Sequence, residues 1–102
     1  MIKHIVMWQL LPEALGKSRN ENALQAKALL EGLKGKVPEI IDLEIGINVP
    51  DLPENNHLVL VLTVADMAAL QRYQDHPEHK KAAAFIGQIR ASRAAVDFVT
   101  GA

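Results

Sequence analysis

The segment His57-Leu58-Val59-Leu60-Val61-Leu62-Thr63-Val64 decides the fold class of this chain, because residues 58–62 form an unbroken apolar run. Side chains of a β-strand point alternately to the two faces of a sheet, so both faces of this strand are apolar. Such a strand lies in the centre of a sheet that is covered on both sides. Residues 2–11 form a second strand with large apolar side chains on both faces, which Pro12 ends. The sequence therefore predicts a sheet with two central strands.

A helix and an edge strand lie between these two segments. Residues 12–34 comprise a linker turn and a helix that begins near Ser18, because apolar side chains recur three and four positions apart along it. Gly35 and Pro38 end the helix. Residues 40–49 alternate apolar and polar side chains, which is typical of a strand at a sheet edge with one face in water.

The C-terminal part of the chain predicts two further helices and a final strand. Asp66 is a good N-cap for a short helix over residues 67–74. Pro77 suits the first turn of a helix and disfavours helical geometry at the residue before it, so a longer helix is predicted over residues 77–92. Residues 94–100 form the last strand.

The resulting order βαββαβ predicts an α+β, ferredoxin-like fold, with one four-stranded antiparallel sheet and the helices on one face. Residues 1–102 then form a single domain. Helices on one face leave the other apolar face of the central strands exposed, and a monomer rarely tolerates an exposed apolar patch of that size. We therefore expect a homodimer in which two sheets face each other.

The composition argues against several classes of protein. The 11 Lys and Arg against 12 Asp and Glu give a net charge of −1 without a basic cluster, which argues against nucleic acid as a partner. The chain has no cysteine, so disulfides and thiol catalysis are excluded. No apolar run is long enough to span a membrane. The first residues do not resemble a signal peptide, so a cytoplasmic location is expected.

Titratable groups concentrate in the segment Tyr73-Gln74-Asp75-His76-Pro77-Glu78-His79-Lys80-Lys81, at the predicted start of a helix. His79 shares a helical stripe with Ile86, so we expect it to be buried beside Tyr73, with His4 of the first strand nearby. An imidazole and a phenol in contact can transfer protons, which makes Tyr73 and His79 the candidate catalytic pair. Burial predicts a pKa of His79 below its ordinary value of about 6.5.

The same segment allows two other interpretations. In the first, His76 caps the helix and His79 donates to a backbone carbonyl, with no chemistry. In the second, His76 and His79 bind a metal ion. Glu78 points to another side of the helix, however, and zinc needs three or four converging ligands, so no metal and no cofactor are predicted.

The basic residues around this segment are assigned to roles outside the site. Lys80 and Lys81 are expected on a solvated face. Arg90 and Arg93 are expected at the end of the last helix, where they bond its final carbonyls or pair with Asp97.

Five segments together resemble one known family. They are Ile2-Lys3-His4-Ile5-Val6, Leu33-Lys34-Gly35-Lys36-Val37-Pro38, Leu43-Glu44-Ile45-Gly46-Ile47-Asn48, Tyr73-Gln74-Asp75-His76-Pro77-Glu78-His79 and Arg93-Ala94-Ala95-Val96-Asp97-Phe98. Along nearly its whole length the chain is similar to the stress-responsive A/B barrel domain (Dabb) family. The resemblance implies a dimeric α+β barrel.

The resemblance also bears on the site residues. A few plant relatives cyclise polyketides with a tyrosine and a histidine as an acid/base pair, and these correspond to Tyr73 and His79. A further histidine of those enzymes has Leu58 at its position in this chain, with His57 one residue earlier. A shift of one residue sends a strand side chain to the opposite face, which weakens the cyclase interpretation.

Two functional hypotheses follow. The first is a small soluble homodimer that binds a small apolar or aromatic molecule between the sheet and the helices. Its predicted pocket consists of His4, Val6, Trp8, Leu60, Leu62, His76 and Ile86. The second is a cofactor-free acid/base enzyme, polyketide-cyclase-like or a lyase, that uses Tyr73 and His79. A purely structural role is a third alternative, and an open cavity that reaches His79 would favour the enzyme.

Overall fold

The structure, a computed structural model, describes residues 1–101. Its elements follow in the order β1 (Ile2–Leu10), β2 (Glu13–Ala14), β3 (Lys17–Ser18), α1 (Arg19–Glu31), β4 (Asp42–Ile47), β5 (Leu58–Val64), α2 (Met67–Asp75), α3 (Pro77–Ile89) and β6 (Arg90–Val99). Four strands form an antiparallel sheet in the order β4-β5-β1-β6, and β2 pairs with β3 in a short hairpin. This is the ferredoxin-like α+β fold that the sequence predicts.

β1 and β5 are the central strands, as their two apolar faces predict. Their antiparallel ladder runs from the pair Ile2–Val64 to the pair Trp8–Leu58. β6 pairs with the other side of β1, and β4 pairs with β5 at the opposite edge of the sheet. Exposed and buried residues alternate along most of β4, which fits the predicted edge strand with one face in water.

The helices cover one face of the sheet and leave the other uncovered. The core lies between this covered face and the helices, and it includes Val6, Trp8, Leu58, Leu60, Leu62, Leu30, Tyr73 and Ile86. On the uncovered face, Val96 and Phe98 of β6 are 52% and 42% exposed. Ile5 of β1 pairs with Val96, so the exposed apolar surface continues into the centre of the sheet.

Polar side chains fix where each helix begins. Ser18 caps α1 and forms a capping box with Glu21. Asp66 caps α2 by accepting from a backbone N–H of its first turn. His76 separates α2 from α3 because its backbone is extended, and Pro77 occupies the first turn of α3. The predicted helix starts at these positions are confirmed.

The prediction is wrong at the end of the last helix. α3 ends at Ile89 and β6 begins at Arg90, whereas the sequence predicted a helix to residue 92 and a strand from residue 94. The first residues of β6 pair with the end of β1, through a register irregularity between Gln9 and Leu10. Pairing with β1 therefore outweighs the helical pattern of this segment.

Part of the predicted linker before α1 is an ordered hairpin, β2–β3. Leu15 and Gly16 at its turn have φ angles of 54° and 73°, the left-handed backbone typical of a two-residue hairpin turn. Several predicted strand ends lie one or two residues outside the observed ones, as is usual for element boundaries.

Within residues 1–101, no helix has the length and apolar character needed to cross a membrane.

Candidate functional site

A cavity of about 260 Å³ lies between the sheet and the helices. Its apolar wall consists of Val6, Trp8, Leu30, Leu60 and Ile86, and its polar wall consists of His4, Tyr73, Gln74, His79, Arg90 and Arg93. Ala83 and Gly87 of α3 complete the lining, and both are exposed, as are the two arginines. The cavity therefore opens to solvent on the side of these residues.

The structure brings the two candidate catalytic residues together. Tyr73 lies near the end of α2 and His79 lies in the first turn of α3, and their ring centroids are 4.6 Å apart at an interplanar angle of 53°. The break at His76 makes this contact, because a continuous helix would place residues six positions apart on different faces. Both rings line the cavity.

His79 is half-buried and hydrogen-bonded to the backbone. Its Nδ1–H donates to the carbonyl of Gln74 over 3.1 Å, since a carbonyl oxygen only accepts. Burial lowers the pKa of His79, the hydrogen bond to Gln74 opposes this effect, and nearby basic side chains, including Arg93, lower the pKa further. The ring is therefore mainly neutral at pH 7, and its Nε2 can accept a proton.

Tyr73 carries a buried polar group without a partner. The residue is 1% exposed, and its hydroxyl has no hydrogen-bond partner among residues 1–101. Buried polar groups in folded proteins are nearly always hydrogen-bonded, so this one calls for an explanation. Burial raises the pKa of Tyr73 above its ordinary value, so the phenol stays protonated and remains a hydrogen-bond donor.

His4 reaches the cavity from the sheet, in contact with Asp97. The two residues face each other across the β1–β6 ladder, and Nδ1–H of His4 donates to the carboxylate of Asp97. This contact is made by Nδ1, so it fixes the orientation of the His4 ring and does not involve Nε2. The prediction that Asp97 pairs with an arginine is wrong, because strand pairing places it against His4 instead.

Arg90 and Arg93 belong to β6 and not to a helix end, so their predicted role at the last carbonyls of a helix is wrong as well. Pairing with β1 puts Arg93 opposite Trp8 on the helix-covered face of the sheet. Within residues 1–101, neither guanidinium forms an ion pair. Both arginines line the cavity.

Two residues predicted in the pocket lie outside the cavity lining. Leu62 is fully buried in the core, farther along β5 than Leu60, which does line the cavity. His76 turns its side chain toward its own helix, where Nδ1 accepts from the backbone N–H of Glu78 over 3.1 Å. The remaining predicted pocket residues, His4, Val6, Trp8, Leu60 and Ile86, all lie on the cavity wall.

His57 does not reach this cavity. Its Nδ1 accepts from the backbone N–H of Leu10 over 3.0 Å, and Leu58, which follows it, is buried opposite Trp8. The site thus has Leu58 where the polyketide cyclases have a histidine, as the sequence indicated. The described residues include no group of three or more His, Asp or Glu side chains arranged to hold a metal ion.

The sequence did not reveal Asp97, Gln74 and the two arginines as parts of the site. The ferredoxin-like order of elements places the last strand beside the first. The antiparallel pairing of these two strands could therefore be predicted from the sequence. The register of this pairing could not be predicted, because the polar and apolar residues of β6 do not alternate regularly. A shift of one residue would turn Asp97 away from His4.

The chain is similar to one protein family and to several solved structures. The profile of the Stress responsive A/B Barrel Domain matches residues 2–100. A dimeric protein of unknown function from Bacteroides fragilis, with a ferredoxin-like fold, is 27% identical, with 95% of this chain and 93% of that chain covered and a TM-score of 0.85. A dimeric ferredoxin-like protein of unknown function from Thermobifida fusca is 25% identical, with 97% and 90% covered and a TM-score of 0.83. No curated protein sequence matches significantly.

A more distant relative in structure is an enzyme. Hydroxynitrile lyase from Passiflora edulis is 13% identical to this chain, with 98% of this chain and 93% of that chain covered and a TM-score of 0.77. At this identity the likeness shows the fold alone. The profile match, in contrast, extends from β1 to β6. The chain therefore belongs to the stress responsive A/B barrel domain family.

Proposed function

We propose that this protein is a homodimer whose cavity binds a small apolar or aromatic molecule and transfers a proton to or from it. The observation that carries the proposal is the unpartnered hydroxyl of Tyr73, buried beside His79 at an open cavity. Packing does not require this hydroxyl, because phenylalanine would fill the same space without burying an unsatisfied polar group. An acceptor atom of a bound ligand would supply the missing partner.

The size and lining of the cavity support a small apolar ligand. A volume of about 260 Å³ is below that of pockets for drug-sized molecules, so the ligand has roughly one or two rings. Trp8, Leu60 and Ile86 provide a buried apolar wall for such a ring. The polar groups are few and lie together, which is typical of sites that fix the orientation of a ligand.

The site residues can divide a proton transfer between them. Nε2 of neutral His79 removes a proton from the carbon next to a ligand carbonyl, and the hydroxyl of Tyr73 donates a hydrogen bond to the oxygen on which negative charge develops. The raised pKa of Tyr73 keeps this donor protonated. His79 then returns the proton to the product. His4, held by Asp97, is a second acid/base group on the same wall.

The dimer has separate support. The uncovered face of the sheet carries exposed apolar side chains, among them Val96 and Phe98. The relatives from Bacteroides fragilis and Thermobifida fusca are described as dimeric. Face-to-face packing of two sheets buries this surface in each protomer.

A binding protein without catalysis is the second candidate. The hydrogen bond of His79 to the carbonyl of Gln74 and the cap formed by His76 are both features that the non-catalytic interpretation predicts. The hydroxynitrile lyase shows only that the fold can carry an enzyme. Exchange of carbon-bound protons separates the two candidates.

The wild-type protein should accelerate exchange of the α-protons of an aromatic ketone, acetophenone, in D₂O, measured by ¹H NMR. His79→Gln and Tyr73→Phe should each lower this rate about 100-fold, because each removes one partner of the transfer. Arg72→Gln is the matched control, since Arg72 forms an exposed ion pair with Glu39 away from the cavity. Exchange at the rate of buffer in the wild type, or an undiminished rate in His79→Gln, would exclude the proton-transfer role.

A further inference from the structure

The cavity lining contains positively charged side chains and no negatively charged one. Arg90 and Arg93 lie on the wall, and no Asp or Glu does. Asp97, on the same strand, contacts His4 and forms no ion pair with either arginine. Within residues 1–101, the two guanidinium groups have no carboxylate partner at ion-pair distance.

The polarity of the cavity is graded from inside to outside. Trp8, Leu60 and Ile86 are nearly inaccessible to solvent, whereas both arginines are exposed at the opening. The acid/base pair lies on the same wall as the arginines. The positive charge of Arg93 reaches this pair, since it is one of the causes, after burial, that lower the pKa of His79.

We infer that the cavity selects an amphipathic carboxylate, whose negative group binds Arg90 and Arg93 at the opening while its apolar or aromatic body fills the interior. A guanidinium presents N–H donors in a planar fork that matches the two oxygens of a carboxylate. Two such groups beside an apolar cavity favour a ligand with one charged end. The inference rests on the proposed function, because it names the class of ligand that the same site takes.

Trp8 offers a direct measurement, because it is the single tryptophan of the chain and lines the cavity. Its indole N–H gives one resolved signal in a ¹H–¹⁵N NMR spectrum of labelled protein. Titration with 3-phenylpropionate and with its uncharged analogue 3-phenylpropanamide then yields two dissociation constants. Their ratio isolates the contribution of the charge, because the two probes share the same ring and chain.

We expect the wild type to bind the carboxylate about fivefold or more tightly than the amide, and the preference to shrink as salt is added. Arg93→Gln and Arg90→Gln should each move the ratio toward one. Arg72→Gln removes an exposed arginine of α2 that does not line the cavity, so its ratio should equal that of the wild type.

The outcomes separate this inference from the proposed function. Equal affinity for both probes in the wild type, or a preference that survives in both cavity variants, overturns the carboxylate assignment and leaves ligand binding intact. A preference that Arg72→Gln also abolishes points to the overall charge of the protein and likewise overturns it. If neither probe shifts the indole signal at millimolar concentration, the binding function itself fails, and the inference fails with it.

Discussion

The hydroxyl of Tyr73 has a stability cost that a functional role would explain. It is buried without a hydrogen-bond partner among residues 1–101. Tyr73→Phe keeps the ring and its contact with His79 but removes the unsatisfied group. We expect the free energy of unfolding to stay unchanged or to rise by about 1 kcal/mol, measured by urea denaturation.

The same variant should lose proton exchange, so stability and activity would move in opposite directions. Tyr73→Leu is a useful comparison, because it also removes the ring. This variant should lower the free energy of unfolding by about 2 kcal/mol or more through lost packing. A Tyr73→Phe variant that loses more than about 1 kcal/mol of stability would show that the hydroxyl has a structural partner.

His79 should make the stability of the protein depend on pH. Burial lowers its folded pKa, so below the ordinary value of about 6.5 the unfolded chain binds this proton more readily than the folded one. The contribution of His79 to stability is therefore zero above the unfolded pKa, becomes unfavourable as the pH falls through that value, and is constant below the folded pKa. His79→Gln removes this titration.

The difference in unfolding free energy between His79→Gln and the wild type should therefore shift in favour of the variant between pH 7 and pH 5. Urea denaturation at several pH values measures this shift. His57, whose pKa burial also lowers, titrates in both proteins and cancels from the difference. A difference that is independent of pH would contradict burial of His79 as a neutral ring.

At the scale of elements, the junction between α2 and α3 determines where His79 lies. His76 caps α3 through its Nδ1, which accepts from the N–H of Glu78. His76→Ala should cost about 1 kcal/mol of stability, because it leaves an N–H of the first turn without its partner. His76→Asn should retain most of the stability, since asparagine is a good cap. Equal stability of the alanine variant and the wild type would show that this cap contributes nothing.

The elements themselves were largely predictable from local patterns. The unbroken apolar run of β5 indicated a central strand, and Ser18, Asp66 and Pro77 marked three helix starts. The boundary between α3 and β6 was not predictable, because residues 90–93 carry no helix stop and continue the helical spacing. Their strand geometry depends on pairing with β1, which is distant in sequence.

The candidate site likewise has one part that follows from local sequence and another that depends on strand pairing between distant segments. Tyr73 and His79 lie in one continuous segment, so their proximity followed from helix periodicity and the break before Pro77. The contact of His4 with Asp97 and the position of Arg93 depend instead on the register of β6 against β1. The irregular pattern of β6 does not encode that register, so long-range pairing determined the part of the site that the sequence did not reveal.

At the scale of the whole molecule, the sheet has one face that its own helices do not cover. Its apolar residues come from three neighbouring strands, and they are Ile5, Met7, Val59, Val61, Val96 and Phe98. A patch of this kind marks an interaction surface. The proposed homodimer would bury on the order of 1,000 Å² or more of total surface there, as stable interfaces do.

Val96 allows the dimer to be tested separately from the folding of each protomer. Its side chain is 52% exposed in the single chain, so Val96→Asp should cost a protomer little, whereas an unpaired charge buried within a sheet-to-sheet interface is strongly unfavourable. Light scattering coupled to size exclusion should give about twice 11.2 kDa for the wild type and a lower mass or aggregation for this variant. Val49→Asp is the matched control, because Val49 is 94% exposed and lies outside the sheet, so this variant should remain dimeric. A wild-type protein that is monomeric and folded at micromolar concentration would contradict the proposed dimer, as would a Val96→Asp variant with unchanged mass and stability.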